Sequence, residues 1–361
     1  MSKEKAVLIA GGYGIVGEQM AGLLRERNPN QPIIIAGRDK AKADAVAKRI
    51  GKAKGVALDV TRQGSVAALA GEISAVVTAV NDSHNHILVE TVRAGIPYVD
   101  ITRWTALQRK AVLRASLETI TAPVVFSSSW MAGVAALVAK KLAEGFSRIH
   151  EVNIDILYSL KDKAGPNSIE YVDQLGTPYD VFKDGEIVSV KPMTEPRMVS
   201  FPGGIETKTY RFDTPDQMTL PVTLGANSVS ARIAYDDKSS AAFLAFLVRV
   251  GIWSILNRPA FTKVRRGLLY NPGEGGSQEI VVEMTGTDTK GQPCKTSASI
   301  VDQSGQTHLT ALGGVIQIER VLGLNGATGA PSGITFPEKH EDIDLALSIL
   351  KAGGVNVSFQ A

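Results

Sequence analysis

The chain has 361 residues, 44% of them hydrophobic and 21% charged, with a formal net charge of +3. That length and composition fit a soluble protein of two domains, and the small charge without a basic arm excludes nucleic acid as an expected partner. A single cysteine, Cys294, excludes an internal disulfide framework; the opening MSKEK shows no signal-peptide pattern, so a cytoplasmic location is expected.

In chain order, AVLIAG (6–11) reads as a strand and GIVGEQMAGLLRER (14–27) as a helix. PIIIAG (32–37), GVALDV (55–60), AVVTAV (75–80), PYVDIT (97–102) and PVVFSSS (123–129) are further strands. Helical patterns at 39–50, 84–95 and 105–119 lie between them. Unbroken apolar runs of about five residues indicate strands buried on both faces of a parallel sheet. Strand–helix repetition then implies right-handed crossovers and a doubly wound α/β sheet. From about residue 150 the rhythm changes. EVNIDILYS (151–159) alternates, EIVSV (186–190) is a short strand, and 278–302 reads as a hairpin turning near Lys290-Gly291. Helices are expected at 308–323 and 338–354. The expected organisation is a nucleotide-binding domain over 1–130, an inserted α+β domain over 131–324 for substrate and dimerisation, and a segment 325–361 that packs back on the first.

Gly12-Tyr13-Gly14-Ile15-Val16-Gly17 satisfies G-x-G-x-x-G between an apolar strand and an amphipathic helix, the setting of a Rossmann-type dinucleotide site. Gly12 permits the turn, Gly14 lets backbone approach a pyrophosphate, and Gly17 lets the helix pack on the sheet. The helix N-terminus, with Ile15 and Val16 in its first turn, offers N–H groups to phosphate. The second strand ends in Gly37-Arg38-Asp39 instead of in a lone acid. Arg38 suits a 2′-phosphate and favours NADP(H), while Asp39 leaves NAD(H) open. Asp59, ending the third strand, is a candidate for the adenine amino group or a cap for Thr61; Asn81 is a candidate for the ribose or carboxamide. Asp100 and Ser129 lie at later strand ends, Asp100 as an acid–base candidate whose alternative is pairing with Arg103, Ser129 as a candidate substrate contact.

GGYGIVG (11–17), AGRDKAKA (36–43), LDVT (58–61), AVNDSHNHILVETVRAGIPYVDIT (79–102) and PSGITFPEKHEDIDLALSILKAGGV (331–355) together resemble the saccharopine dehydrogenase-like family. The resemblance covers the first 135 residues and the last 35, and is weak between. It implies an NAD(P)-binding domain, an inserted substrate and dimerisation domain, and hydride transfer to or from a C=N bond of an amino-acid-like substrate. Relatives that act on polyamine precursors or as enoyl reductases leave the substrate open. A lipid-associated NADP-binding protein and a non-catalytic NADP(H) sensor are the competing readings. A small-molecule substrate and a homodimer are expected.

For a carboxylate-bearing substrate, Arg211 and Arg232 are the candidate clamps, because both sit in strand-like segments beside Tyr210 and Tyr235. Tyr235 joins Asp100 as a candidate catalytic group. The arginines Arg258, Arg265 and Arg266, with Lys263, read instead as a solvated basic face. Tyr179-x-x-x-Lys183 matches a reductase spacing but stands in a turn-rich segment, so chance is the better reading. His84 and His86 have no completing ligands, and no metal is expected. AAFLAFLVRVGIWSIL (241–256) is too short to span a bilayer and holds Arg249; it reads as a buried or interface helix, and membrane contact is not expected.

Overall fold

The structure is a computed structural model that describes residues 4–162, 170, 171, 173–263, 273 and 275–360. Two compact units share the chain: residues 1–134 with 310–349, and residues 135–309 with 350–361.

The first unit is built on a seven-stranded sheet. Its strands are β1 (Ala6–Ala10), β2 (Ile33–Gly37), β3 (Ala53–Ala57), β4 (Ile73–Thr78), β5 (Tyr98–Asp100), β6 (Pro123–Phe126) and β15 (Gly333–Thr335), in the order β15-β6-β5-β4-β1-β2-β3. Every pairing is parallel. This is the doubly wound dinucleotide-binding order with one strand added, and the order reverses between β1 and β4. The expected helices appear as α1 (Ile15–Arg27), α2 (Lys40–Ile50), α3 (His86–Arg93) and α4 (Thr105–Ser116). Apolar side chains leave both faces of the sheet. Val7, Ile9, Ile33 and Ile35 enter one buried cluster with Met20 and Leu24 of α1; Leu8, Ile34, Val76 and Tyr98 enter another with Ile87 and Leu88 of α3. That is why these strands read as unbroken apolar runs.

The second unit is a mixed seven-stranded sheet. Its strands are β7 (Phe146–Tyr158), β10 (Arg197–Ser200), β11 (Glu206–Arg211), β12 (Ser228–Tyr235), β13 (Gln278–Asp288), β14 (Pro293–Asp302) and β16 (Asn356–Gln360), in the order β10-β11-β12-β7-β13-β14-β16. A separate two-stranded hairpin joins β8 (Tyr179–Lys183) to β9 (Glu186–Val190). The hairpin expected near Lys290-Gly291 is β13–β14, with Gly291 at φ +80°.

Several boundaries differ from those the sequence suggests. The helix Gln306–Leu322 lies mostly in the first unit, where Ala311, Val315 and Ile318 join the core cluster of β1 and α1. The segment after 325 divides: β15 extends the first sheet beside β6, whereas β16 pairs with β14 in the second. The final helix is shorter than expected, Ile343–Ala352, because Pro337–Lys339 forms a separate 3-10 turn. The single helix expected at 241–256 is two, Lys238–Arg249 and Ile252–Leu256, broken at Gly251 with φ +78°. Arg265 and Arg266 of the expected basic face lie outside the described residues.

Candidate functional site

The glycine turn sits where the strand order reverses. Gly11 and Gly12 donate their N–H groups to Ala36 O of β2 at 2.8 and 3.1 Å, which ties the turn to the neighbouring strand. Gly11 has φ +81°, and a Cβ there would lie 2.9 Å from Ala79 O at the end of β4. A Cβ on Gly17 would collide with Gly11 O and come within 2.8 Å of Gly12 Cα, so α1 can approach the turn only with glycine there. Gly14 differs: Gly11 O at 3.2 Å is the one atom near its Cβ position, which leaves that side open to an approaching group. Gly14 is the N-cap of α1 without a side-chain cap. Ile15, Val16 and Gly17 begin the helix, where N–H groups have no carbonyl one turn back to pair with. The turn therefore fits an anionic pyrophosphate.

At the end of β2, Gly37 is required by Tyr13. A Cβ on residue 37 would run into the Tyr13 ring, whose hydroxyl accepts a hydrogen bond from the Asp39 N–H at 3.2 Å. With the Tyr13 ring in this place, a larger residue at position 37 would have to displace it. Asp39 caps α2, accepting from the Lys42 N–H at 3.1 Å, and Arg38 is exposed beside it. Asp59 takes the capping role: it accepts from the Thr61 N–H at 3.0 Å and hydroxyl at 2.8 Å. Those bonds hold its carboxyl below the usual range, with smaller help from Arg62 and Arg38. Asn81 follows β4, half-buried.

The strand ends β4, β5 and β6 hold a buried charge network. Arg103, fully buried, donates through Nε to Asp100 Oδ2 at 2.6 Å and through Nη1 to Asn85 Oδ1 at 2.8 Å; Asp82 Oδ2 is 3.7 Å from Nη2. Asp100 also accepts from the Tyr98 hydroxyl at 2.8 Å and the Thr102 N–H at 3.1 Å, and lies 3.0 Å from the Ser128 hydroxyl. Burial works against ionisation of Asp100, but Arg103 and these donors outweigh it and hold the carboxyl below its usual range. Asp100 therefore takes the alternative that the sequence left open, pairing with Arg103, and both of its carboxylate oxygens are engaged by donors. Asp82 moves the other way. Burial raises it, opposed by the Leu88 N–H and Arg103.

Ser129, after β6, is buried, and its hydroxyl has no hydrogen-bond partner among the described residues. It opens a strained turn. Met131, Ala132 and Gly133 all have positive φ, at 53°, 50° and 90°, before the helix α5 (Val134–Ala143). Two consecutive left-handed non-glycine residues cost roughly 1–3 kcal/mol each and persist only where surroundings enforce them. The Ser127 hydroxyl donates to Ala132 O at 2.7 Å, and Gly133 has Pro337 against it where a Cβ would stand. Sequence reading missed this turn because neither Met nor Ala signals left-handed backbone.

In the second unit Arg211 and Arg232 are direct cross-strand partners on β11 and β12. Both are buried. Arg211 binds Glu195 through Nε and Nη2 at 2.8 and 2.7 Å, and its Nη1 is buried without a partner among the described residues. Arg232 donates to Asn153 Oδ1 at 2.7 Å and Glu195 O at 3.2 Å. Burial holds Arg232 below the ordinary guanidinium range, with Asp155 opposing and Arg211 and Arg197 adding to the fall. The two buried arginines thus form a cluster around Glu195, in which the Arg211 Nη1 is a buried donor with no partner among the described residues. Tyr235 does not belong to it. Strand alternation puts residues 232 and 235 on opposite faces, so Tyr235 meets the Tyr158 ring edge-to-face at 5.8 Å, and Gln306 Nε2 donates to the Tyr158 hydroxyl at 2.9 Å. Burial raises the Tyr235 phenol above its ordinary value, with Tyr158 adding to the rise. The pairing of Arg232 with Tyr235 is corrected accordingly. Tyr179 and Lys183 stand on a strand, not a helix, Tyr179 buried and Lys183 exposed. Among the described residues no group of three or more His, Cys, Asp or Glu could hold a metal ion.

Residues 7–123 match the family model described as saccharopine dehydrogenase NADP binding domain. No curated protein matches the chain. Among solved structures, apo saccharopine dehydrogenase (L-Glu forming) from Saccharomyces cerevisiae matches with a TM-score of 0.69 at 16% identity, covering 99% of this chain and 100% of that one. GenD2 from gentamicin A biosynthesis, in complex with NAD, has a TM-score of 0.43 at 12% identity, covering 98% and 93%. A myo-inositol dehydrogenase from Corynebacterium glutamicum has a TM-score of 0.42 at 12% identity, covering 97% and 96%. Residues 7–123 are thus similar to a saccharopine dehydrogenase NADP binding domain, and the chain has a Rossmann-type α/β fold like that of saccharopine dehydrogenase.

Proposed function

We propose that this chain, an NAD(P)-dependent oxidoreductase by its cofactor domain, uses NADP(H) to transfer hydride to or from the C=N bond of an amino-acid-like substrate. The observation that carries the cofactor preference is the end of β2. The strand ends in Gly37, packed against the Tyr13 ring, so it carries no carboxylate for a ribose 2′-hydroxyl, and exposed Arg38 offers a fork to a 2′-phosphate. The cofactor supplies the hydride. The chain supplies position: the first turn of α1 holds the pyrophosphate, and Ser129 is a hydroxyl donor at the strand ends.

The substrate reading rests on the Arg211–Arg232 pair, where the unused Arg211 Nη1 and the adjoining guanidinium suit a carboxylate. Imine reduction asks for orientation, a proton for nitrogen and a clamp for carboxylates, not for a nucleophile or a metal. The test is NADPH consumption with 2-oxo acids paired with amino acids or amines, set beside enoyl-thioesters. Turnover with an oxo acid and amine is expected, with KM raised at least tenfold in Arg211→Met. Turnover of enoyl-thioesters alone would replace the C=N reading with an enoyl reductase. Tight NADPH binding with no turnover would replace it with a sensor.

A further inference from the structure

We propose that the outer side of the helix pair Lys238–Arg249 and Ile252–Leu256 is a docking surface for an anionic lipid bilayer, on which the protein lies without crossing it. The first helix has two apolar sides. Ala241, Leu244 and Leu247 are buried, while Phe243, Phe246 and Val250, spaced to share another side, point outward with Phe243 and Phe246 56% and 57% exposed. Gly251 turns the chain, and Trp253 anchors the second helix in the interior, its Cδ1 3.0 Å from where a Cβ on Gly176 would stand. Ile252 and Ile255 are left exposed, and Phe261 follows. Isolated apolar side chains on a surface need no explanation, but six large ones within nineteen residues form a patch that does.

Charge selects the occupant. Between residues 238 and 263 the sequence has no Asp or Glu, and it has the cations Lys238, Arg249, Arg258 and Lys263. Arg249, Arg258 and Lys263 are exposed, like the apolar side chains of the same stretch. A second copy would bring these like charges against one another across a symmetric contact. An anionic headgroup layer neutralises them, each cation contributing to binding while aromatic and aliphatic side chains enter the acyl boundary. No helix among the described residues is long and apolar enough to cross a membrane, so the attachment is to the surface.

The test is co-flotation of the full chain with vesicles of phosphatidylcholine alone or mixed with phosphatidylglycerol. Partitioning onto the mixed vesicles is expected to exceed that onto the neutral ones at least tenfold, and to fall by a similar factor between 0.1 and 0.5 M salt. Phe243→Ser/Phe246→Ser is expected to abolish flotation, and Arg249→Gln/Arg258→Gln to remove the preference for the anionic lipid. Both variants should keep the wild-type melting temperature and NADPH affinity, which shows that folding is intact. Equal binding to both vesicles, or none, would overturn the proposal. So would a concentration-dependent dimer in sedimentation velocity that the phenylalanine variant dissolves, which would assign the patch to a second copy.

Discussion

The two sheets handle polarity in opposite ways. In the first, both faces are apolar and the charges Asp82, Asp100 and Arg103 are gathered where the strands end. In the second, one face of the central strands is apolar, with Ile154, Ile156, Ile233 and Val282 buried, while the other carries Asn153, Asp155, Thr209, Arg211 and Arg232 at mid-strand. A parallel sheet flanked by helices must exclude charge from its faces, so its chemistry is confined to its rim. A mixed sheet can place chemistry across a whole face, but only if every charge finds a partner there. Asp155 shows the cost: burial raises its carboxyl, and Arg197 and the Thr209 hydroxyl, 2.7 Å away, oppose the rise.

The largest effect should come from breaking the rim of the first sheet. Asp100→Asn removes the carboxylate that pairs with buried Arg103 at 2.6 Å and leaves Asp82 at 3.7 Å, and is expected to cost about 3–5 kcal/mol of unfolding free energy in urea. A loss below about 1 kcal/mol would mean that the network is not a structural hub.

The next effect is a pH dependence of the same unit. His340 is buried, its Nδ1 accepts the Asp342 N–H at 3.1 Å, and burial first, then Arg320, lowers its pKa to about 4. Between the unfolded value near 6.5 and the folded value near 4 the unfolded chain binds the extra proton. Stability is therefore present above about pH 6.5 and is lost as pH falls towards 4, by about 3 kcal/mol in all. Melting curves across that window should show a slope that His340→Gln reduces.

A smaller effect sharpens the cofactor rim. Arg38→Ala should weaken NADPH binding roughly tenfold to a hundredfold and leave NADH nearly unchanged, as titration of each cofactor would show. Comparable affinities in the wild type, unaltered by the substitution, would remove the 2′-phosphate assignment. The smallest stability change is expected on the polar face. Arg232→Met relieves a direct like-charge pair while losing its bonds to Asn153 and Glu195, so unfolding should shift by less than about 1.5 kcal/mol. A shift of several kcal/mol would make that arginine structural, as Arg103 is.

What the sequence made legible follows the same division. The glycine turn and the first six strands of the first sheet could be placed because local pattern and global fold agree there. Asp100 could not be assigned, since an acid three residues before an arginine reads equally as a proton donor or an ion pair until burial is known. Arg232 and Tyr235 looked like neighbours because sequence distance hides the alternation of strand faces. The break at Gly251 and the strand Asn356–Gln360 were missed because a lone glycine in an apolar run and a short polar edge strand are weak signals.

The last strand carries a consequence for biosynthesis. Residues 356–360 complete the second sheet against β14, and residues 333–335 complete the first against β6. Each sheet therefore stays open at one edge until its late segment has been made, and β14 and β6 wait unpaired until then. Unpaired edges invite pairing with other chains. Truncation before residue 356 should accordingly reduce soluble yield without touching a single residue of the glycine turn, and any attempt to express either unit alone must join segments that the chain keeps far apart.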